Sequence, residues 1–309
     1  MKDQKLKLWM GIGMATLLAG SGAWAGEGGE SGHENPVKAG DHGGEGGEHH
    51  GGEGGENHGG EGGESHGGEM GEAFSYFASG GEGGEGGEGG TSAAPVASDG
   101  AQLAMIHMMQ GHLMAARELI KAGEVAEGRP HLTHPWIEVY PMAKPGFEAH
   151  GQDQLGDRLQ TLAETAGTVG KWSDVSADFN AAWTSLDHAA AAISGDQPEA
   201  PATVAKVMLS LTKQAALEYD EALEEGRFVA VHEYQDGRGF VLVAREYLER
   251  NKASLMKQNK EAWRDANKVL DELETAWPTA IPPAQPVMQP SSLYAAQARL
   301  ELALAPYLY

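Results

Sequence analysis

One octapeptide occurs three times in succession over residues 45–68, as EGGEHHGG, EGGENHGG and EGGESHGG. Its sixth position is histidine in every copy, while its fifth position varies. The histidines in and just before these repeats are His42, His49, His50, His58 and His66. Imidazoles, carboxylates and glycine-flanked backbone amides are all ligands for divalent transition metals. The repeat therefore predicts metal binding.

The glycines of the repeat favour copper among these metals. A histidine followed by two glycines lets Cu(II) bind the ring nitrogen and nearby backbone amides, because no β-carbon obstructs the approach. Copper also stands highest in the divalent affinity order for such sites, with zinc and iron as alternatives. In this chemistry the repeat resembles the copper-binding octarepeats of prion protein. The alternative interpretation is a solvated, charge-rich spacer whose histidines bind nothing.

A second candidate is the methionine-rich segment MIHMMQGHLM, residues 105–114. Met108 and His112 are four residues apart and would share one face of a helix. A thioether with an imidazole suits monovalent copper. Methionine is also a common filler of helical cores, and core packing is the favoured interpretation. His112 is the residue of this segment that core packing explains least.

The third candidate lies in HLTHPWIEVY, residues 131–140, where one predicted helix ends and another begins. Because His134 precedes Pro135, we expect it to leave helical geometry and to cap the following helix. Across a helical hairpin, His131, His134 and Glu138 can join His112 to form a metal site. The alternative is a set of structural histidines whose hydrogen bonds are satisfied at a turn.

The fourth candidate is His232, which lies four residues before Asp236 on a predicted helix. Asp236 would then orient the imidazole of His232, as outer carboxylates do at metal sites. A buried polar pair without metal is the favoured alternative. Gly237 and Gly239 either interrupt this helix or allow another helix to approach closely. The helical domain lacks a Glu-x-x-His pair, which argues against a ferritin-like dimetal centre.

Composition narrows the class of protein. The formal net charge of −23 disfavours nucleic acid and anionic membrane surfaces, and it favours cations or a basic protein partner. The chain has no cysteine, which excludes thiolate ligands and disulfides. No nucleophile elbow, phosphate loop or dinucleotide-binding motif occurs, so the sequence gives no support for an enzyme.

The first 25 residues have the pattern of a secretory signal peptide. A basic start is followed by an apolar run over residues 8–19 and by the small-x-small site Ala23-Trp24-Ala25. The run is too short to span a bilayer, and no later segment is longer. We expect a periplasmic protein without a membrane span after cleavage, with secretion as the lesser alternative.

The rest of the chain divides into two regions. Residues 26–98 are rich in Gly, Glu and His and are predicted to be a disordered arm. Within it, the aromatic residues Phe74, Tyr76 and Phe77 form a weak contact point or a docking motif. Residues 99–309 show helical periodicity and predict an all-α domain, an irregular up-and-down bundle. The predicted helices lie near 99–122, 135–143, 152–167, 174–194, 202–225, 228–250, 252–276 and 291–305.

Residues 115–149, AARELIKAGEVAEGRPHLTHPWIEVYPMAKPGFEA, resemble imelysin-type periplasmic proteins, which include an iron-uptake class. The segments Ala122-Gly123-Glu124 and Ile137-Glu138-Val139-Tyr140-Pro141 occupy places comparable to the family's helix-ending turn and its following Tyr-Glu-x-Ile-Glu-Pro helix. The resemblance implies an exported helical domain with metal binding. The chain departs from the family's His-x-x-Glu motif, because Glu138 follows His134 by four residues.

Together these patterns favour a periplasmic metal-binding or metal-buffering protein. The arm would capture cations, while the helical domain would hold a tighter site or dock a partner in the cell envelope. Binding through histidines should weaken as they gain protons, roughly between pH 7 and 5. The alternative is a non-catalytic envelope scaffold or interaction protein with an acidic spacer.

Overall fold

A computed structural model describes residues 72–77, 98–195 and 199–309. These residues form an all-α bundle, which confirms the predicted class. The predicted signal peptide, the octarepeat and most of the predicted arm lie outside the described residues. Among the helices that are described, none is both long and apolar enough to cross a membrane.

Most elements follow one another with short connections, while a longer proline-containing segment, residues 275–289, precedes the last helix. The helices are α1 (Asp99–Ala122), α2 (Val125–Gly128), α3 (Pro130–His134), a π-helical turn (Pro135–Val139), α4 (Tyr140–Ala149), α5 (Gln154–Ala166), α6 (Trp172–Ser194), α7 (Pro201–Glu221), α8 (Val231–Arg250), α9 (Lys252–Gln258), α10 (Lys260–Glu274) and α11 (Pro290–Leu308). Strands β1 (Leu223–Glu224) and β2 (Arg227–Phe228) pair antiparallel between α7 and α8.

Helix α1 is the central helix of the bundle. It begins after Ser98, whose hydroxyl oxygen accepts a hydrogen bond from the backbone of Ala101, and it ends at Gly123 in the left-handed conformation. Its residues are buried on nearly all sides from Ala101 to Ala116. A helix enclosed in this way packs on several neighbours at once, and α6, α7 and α8 all contact it.

Glycines let α1, α7 and α8 approach one another closely. A β-carbon on Gly239 would collide with the backbone carbonyl of Gly111, and one on Gly237 would lie 3.0 Å from the carbonyl oxygen of Ala215. Helix α8 runs through both glycines without interruption. Of the two predicted roles of these glycines, close helix contact is therefore the one confirmed.

The chain turns through α3 and the π-helical turn without leaving helical geometry. His134 has φ −54° and ψ −42°, so the prediction that it leaves the helix and caps the next one was wrong. Pro135 supplies no backbone N–H, and the turn adapts by widening: the N–H of Tyr140 bonds to the carbonyl of Pro135, five residues earlier. Such π turns interrupt helices in short pieces, often at functional sites.

Two further predictions about helix boundaries were wrong. Residues around Phe228 were predicted to be helical but form the hairpin, whose two-residue loop places Glu225 and Gly226 at positive φ. The predicted helix 252–276 is divided at Asn259, whose extended backbone starts α10 and whose side-chain oxygen accepts from the backbone N–H groups of Glu261 and Ala262.

Residues 72–77 pack on the bundle, which corrects the predicted disorder of this part of the arm. The side chain of Phe74 is fully buried, and the ring of Phe77 lies against Gly100 of α1. The hydroxyl of Tyr76 accepts a hydrogen bond from Gln297 of α11 at 3.2 Å. Aromatic side chains bury large apolar areas, so a few of them can anchor a short segment even within a glycine-rich sequence.

Candidate metal centre

A buried cluster of three histidines and one aspartate lies where α1, α3 and α8 meet. His112 comes from α1, His131 and His134 from α3, and Asp236 from α8. One potential ligand atom from each residue lies within 4.8 Å of the others. At most 7% of any of these residues is exposed. The α1–α8 contact at Gly111 and Gly239 brings His112 and Asp236 together.

The carboxylate of Asp236 accepts hydrogen bonds from all three imidazoles. Its Oδ1 lies 2.6 Å from His112 Nδ1 and 2.7 Å from His131 Nδ1, and its Oδ2 lies 2.9 Å from His134 Nδ1. Burial by itself raises the pKa of Asp236, but attraction to the three imidazoles outweighs burial and leaves this pKa well below its usual range. Asp236 is therefore a buried anion surrounded by histidines.

Glu138, from the π-helical turn, faces the opposite edges of two of these rings. Its Oε2 lies 3.7 Å from His112 Nε2, and its Oε1 lies 3.7 Å from His134 Nε2. Its side chain is 17% exposed, so this edge of the cluster is the one nearer to solvent. Burial, together with repulsion from Asp236 and Glu233, raises the pKa of Glu138 well above its usual value.

The three imidazoles differ in their surroundings. His131 is bonded at both nitrogens, because its Nε2 lies 2.8 Å from Gln235 Oε1. Burial lowers its pKa, but attraction to Asp236 and hydrogen bonds to Asp236 and Gln235 outweigh this, and the pKa of His131 is raised. Burial lowers the pKa of His134 to about 4, despite the opposing attraction of Asp236.

Two more carboxyl groups, those of Glu218 and Glu233, interact electrostatically with the cluster. Glu218 of α7 is buried, and burial together with repulsion from Asp236 raises its pKa well above the usual value. Burial and repulsion from Asp236 also raise the pKa of Glu233 to about 7. Within the described part of the chain, every ion pair of Asp236 is to a histidine and none is to lysine or arginine.

The donor set fits a bound cation. Nitrogen and oxygen donors converge in a buried space where carboxyl groups outnumber protein cations, and a metal ion would supply the missing positive charge. Neutral imidazole and carboxylate are the usual ligands of iron, zinc, copper and manganese. The residues present can therefore hold a transition-metal ion.

The structure brings together four of the residues proposed from the sequence, namely His112, His131, His134 and Glu138. His232 lies at the edge: its ring contacts that of His131 at 5.6 Å, while its Nε2 lies 3.7 Å from Glu127. The prediction that Asp236 orients His232 was wrong, because Asp236 bonds to the other three histidines. Five proposed residues lie outside the described part of the chain: His42, His49, His50, His58 and His66.

Sequence reasoning did not identify Asp236 as the centre of the cluster. The available signal was a carboxylate followed directly by a helical glycine pair, Gly237 and Gly239, which marks the face of α8 that a neighbour approaches most closely. The methionines near His112 behave as the favoured interpretation predicted, since Met105, Met108 and Met109 are fully buried in the apolar core.

The fold and the site together define a helical bundle with a buried cluster of metal-ligand side chains. Residues 194–307, a little over a third of the chain, match the model of a protein family described as the iron permease-associated 4-helix bundle domain. The match takes in α7 to α11 and thus Asp236, whereas the three histidines and Glu138 precede it. No curated protein and no solved structure shows significant similarity to the chain.

Proposed function

We propose that this protein is an exported metal-binding protein whose helical bundle holds one transition-metal ion as cargo. The observation that carries the proposal is the buried cluster of His112, His131, His134 and Asp236, with Glu138 beside it. Beside this cluster, the ion pairs of Glu138 are to His112 and His134, and its raised pKa reflects the cost of a buried negative charge. A bound cation would offset that cost.

Iron is the metal that the comparisons favour. The matched family is described as iron permease-associated, and the resemblance of residues 115–149 to imelysin-type proteins supports metal binding without specifying the metal. Copper, which the octarepeat favours, and zinc are the alternatives. The family description further supports a metal permease of the cell envelope as the protein partner, which co-purification of the two proteins from solubilised membranes would test.

The repeat-bearing arm is proposed to collect ions for the bundle. Only residues 69–71 separate the last repeat from the packed segment 72–77. A chain of many weak ligands tethered by so short a link raises the concentration of ions available to a tighter site on the same molecule. The predicted signal peptide supports a periplasmic location for this collection.

Metal content measured by elemental mass spectrometry tests the proposal. The full chain is exported to the periplasm and purified without an affinity tag, beside two variants. In the arm variant the six histidines of the arm become glutamine: His33, His42, His49, His50, His58 and His66. In the site variant only His112 and His134 become glutamine.

We expect the wild type and the arm variant to retain about one tightly bound equivalent, and the site variant to lose it. Equal metal in the site variant would contradict a site at His112 and His134, and loss of metal from the arm variant alone would assign binding to the arm. Absence of metal from all three proteins, even after exposure to Fe(II), Cu(II) and Zn(II), would leave the envelope-scaffold alternative in place.

A further inference from the structure

We infer that the ion binds on the Glu138 side of the cluster, to Nε2 of His112, Nε2 of His134 and a carboxylate oxygen of Glu138. Asp236 then stays outside the coordination shell as the shared acceptor of the Nδ1–H groups, and His131 is not a ligand. This inference rests on the proposed function, because it assigns the ligand atoms of the same centre.

Interatomic distances distinguish the two sides of the cluster. Metal bonds to nitrogen and oxygen are about 2.0–2.2 Å long, so two ligands of one ion lie roughly 3 to 4 Å apart. The two separations of 3.7 Å between Glu138 oxygens and the imidazole Nε2 atoms fall in this range. The separations of 2.6–2.9 Å around Asp236 are instead the lengths of charge-assisted hydrogen bonds.

Those hydrogen bonds set the tautomers of His112 and His134. The ionised carboxylate of Asp236 can only accept, so each Nδ1 that bonds to it carries the proton. In a neutral imidazole the other nitrogen, Nε2, then has a free lone pair, and on both rings this atom faces Glu138. A carboxylate on the far nitrogen is the usual support of a metal-bound histidine.

His131 is excluded by its own hydrogen bonds. Its Nδ1 donates to Asp236, and its Nε2 faces the side-chain oxygen of Gln235 at 2.8 Å. Both nitrogens are therefore taken up by hydrogen bonds, so neither is free to bind an ion on the Glu138 side.

The remaining ligand set is two imidazoles and one carboxylate. This combination, with positions left open, is typical of non-haem Fe(II) sites. Glu138 is the least buried member of the cluster at 17% side-chain exposure, so the open positions lie toward the edge from which an ion can enter or leave. The geometry thus agrees with iron as a cargo that is bound and released.

The test uses the full chain with the six arm histidines replaced by glutamine, which removes competing ligands. Anaerobic Fe(II) titration is performed on this protein and on four further variants made in it. We expect Glu138→Gln and His134→Gln to weaken binding at least 100-fold. We expect Asp236→Asn to weaken it about 10- to 100-fold, as the loss of an outer carboxylate does. His131→Gln should weaken it about tenfold or less and keep one equivalent.

X-ray absorption of the Fe(II)-loaded parent protein supplies a readout that needs no variant of the cluster. Two imidazoles in the first shell are expected, and three would overturn the inference. Loss of binding in His131→Gln with retention in Glu138→Gln would also overturn it and place the ion on the Asp236 side. A parent protein that binds no Fe(II) or Zn(II) would refute the proposed function itself, which is a distinct outcome.

Folding of the variants is checked by far-UV circular dichroism and thermal unfolding. His107→Gln is the matched control, because His107 is a buried histidine of α1 that lies outside the cluster. Its Fe(II) affinity and its first-shell spectrum should equal those of the parent protein. If a cluster variant fails to fold, the imidazole count from the parent spectrum still decides between the two sides.

Discussion

The backbone carbonyl of Gly111 occupies the space that a β-carbon on Gly239 would need. This contact fixes the distance between α1 and α8 next to the cluster. His112 follows Gly111 directly, and Asp236 lies one helical turn before Gly239, so the 2.6 Å hydrogen bond between their side chains depends on the close approach of the two helices. The cluster is therefore positioned by two residues that have no side chain.

Replacement of Gly239 by alanine should separate these helices. The new methyl group would meet backbone rather than a flexible side chain, so we expect a loss of about 1–3 kcal/mol in the free energy of unfolding and weaker Fe(II) binding. Urea unfolding and Fe(II) titration measure the two effects. Gly167→Ala at the end of α5 is the control, because nothing lies within 4 Å of its β-carbon position. Equal stability of the two variants would contradict the role given to the Gly111–Gly239 contact.

Local patterns in the sequence predicted much of the fold. The predicted bounds of α1, 99–122, agree with the structure because Ser98 and Gly123 supply local start and stop signals. The proximity of His112 to His131, His134 and Glu138 was also predictable, since consecutive helices joined by a short turn pack side by side.

The identity of the central carboxylate was not predictable in the same way. Asp236 is 124 residues from His112, and only the packing of α8 on α1 determines which face of α8 points inward. Spacing along α8 suggested His232 as the partner of Asp236, but tertiary packing directs His232 toward Glu127. Likewise, a residue before proline usually avoids helical geometry, but the π-helical turn overrides this preference and keeps His134 helical and in the cluster.

Protonation of His107 should lower the stability of the metal-free protein as the pH falls from about 6.5 to 4. Burial lowers the pKa of His107 to about 4, with a smaller effect of Arg250 and an opposing hydrogen bond to Gln110. The unfolded state has a histidine pKa near 6.5 and binds more protons in this window, so acid favours unfolding. The shift corresponds to about 3 kcal/mol at most.

His107→Gln removes this contribution, so the variant should lose less unfolding free energy, or gain more, than the wild type as the pH falls from about 6.5 to 4. Chemical denaturation at several pH values, with a chelator present, measures the slope. Other groups set the remaining slope. The pKa of His134, lowered to about 4, acts in the same direction, whereas the pKa of Glu233, raised to about 7, and the raised pKa of His131 act in the opposite direction. An unchanged slope in the variant would show that His107 does not titrate in this window.

Metal should stabilise the folded chain by mass action. At a free Fe(II) concentration 100 times the dissociation constant, a single site that exists only in the folded state adds about 2.7 kcal/mol. We expect thermal unfolding to shift upward by several degrees in the protein that lacks arm histidines, and a chelator to reverse the shift. Glu138→Gln should show little shift at the same Fe(II) concentration, whereas His107→Gln should respond as the parent does.

The packed segment 72–77 should detach when its buried aromatic ring is removed. Phe74 is fully buried, so Phe74→Ala loses an aromatic contact whose deletion from a core typically costs about 3–5 kcal/mol. Because the segment precedes α1 and can leave the bundle by itself, we expect a smaller loss of global stability, about 1–3 kcal/mol, together with loss of amide protection over residues 72–77. Hydrogen exchange by mass spectrometry measures the local effect.

Ser75→Ala, at an exposed position, is the matched control and should change stability by less than about 0.5 kcal/mol. Full protection of these amides in Phe74→Ala would mean that Phe77 and Tyr76 hold the segment without Phe74.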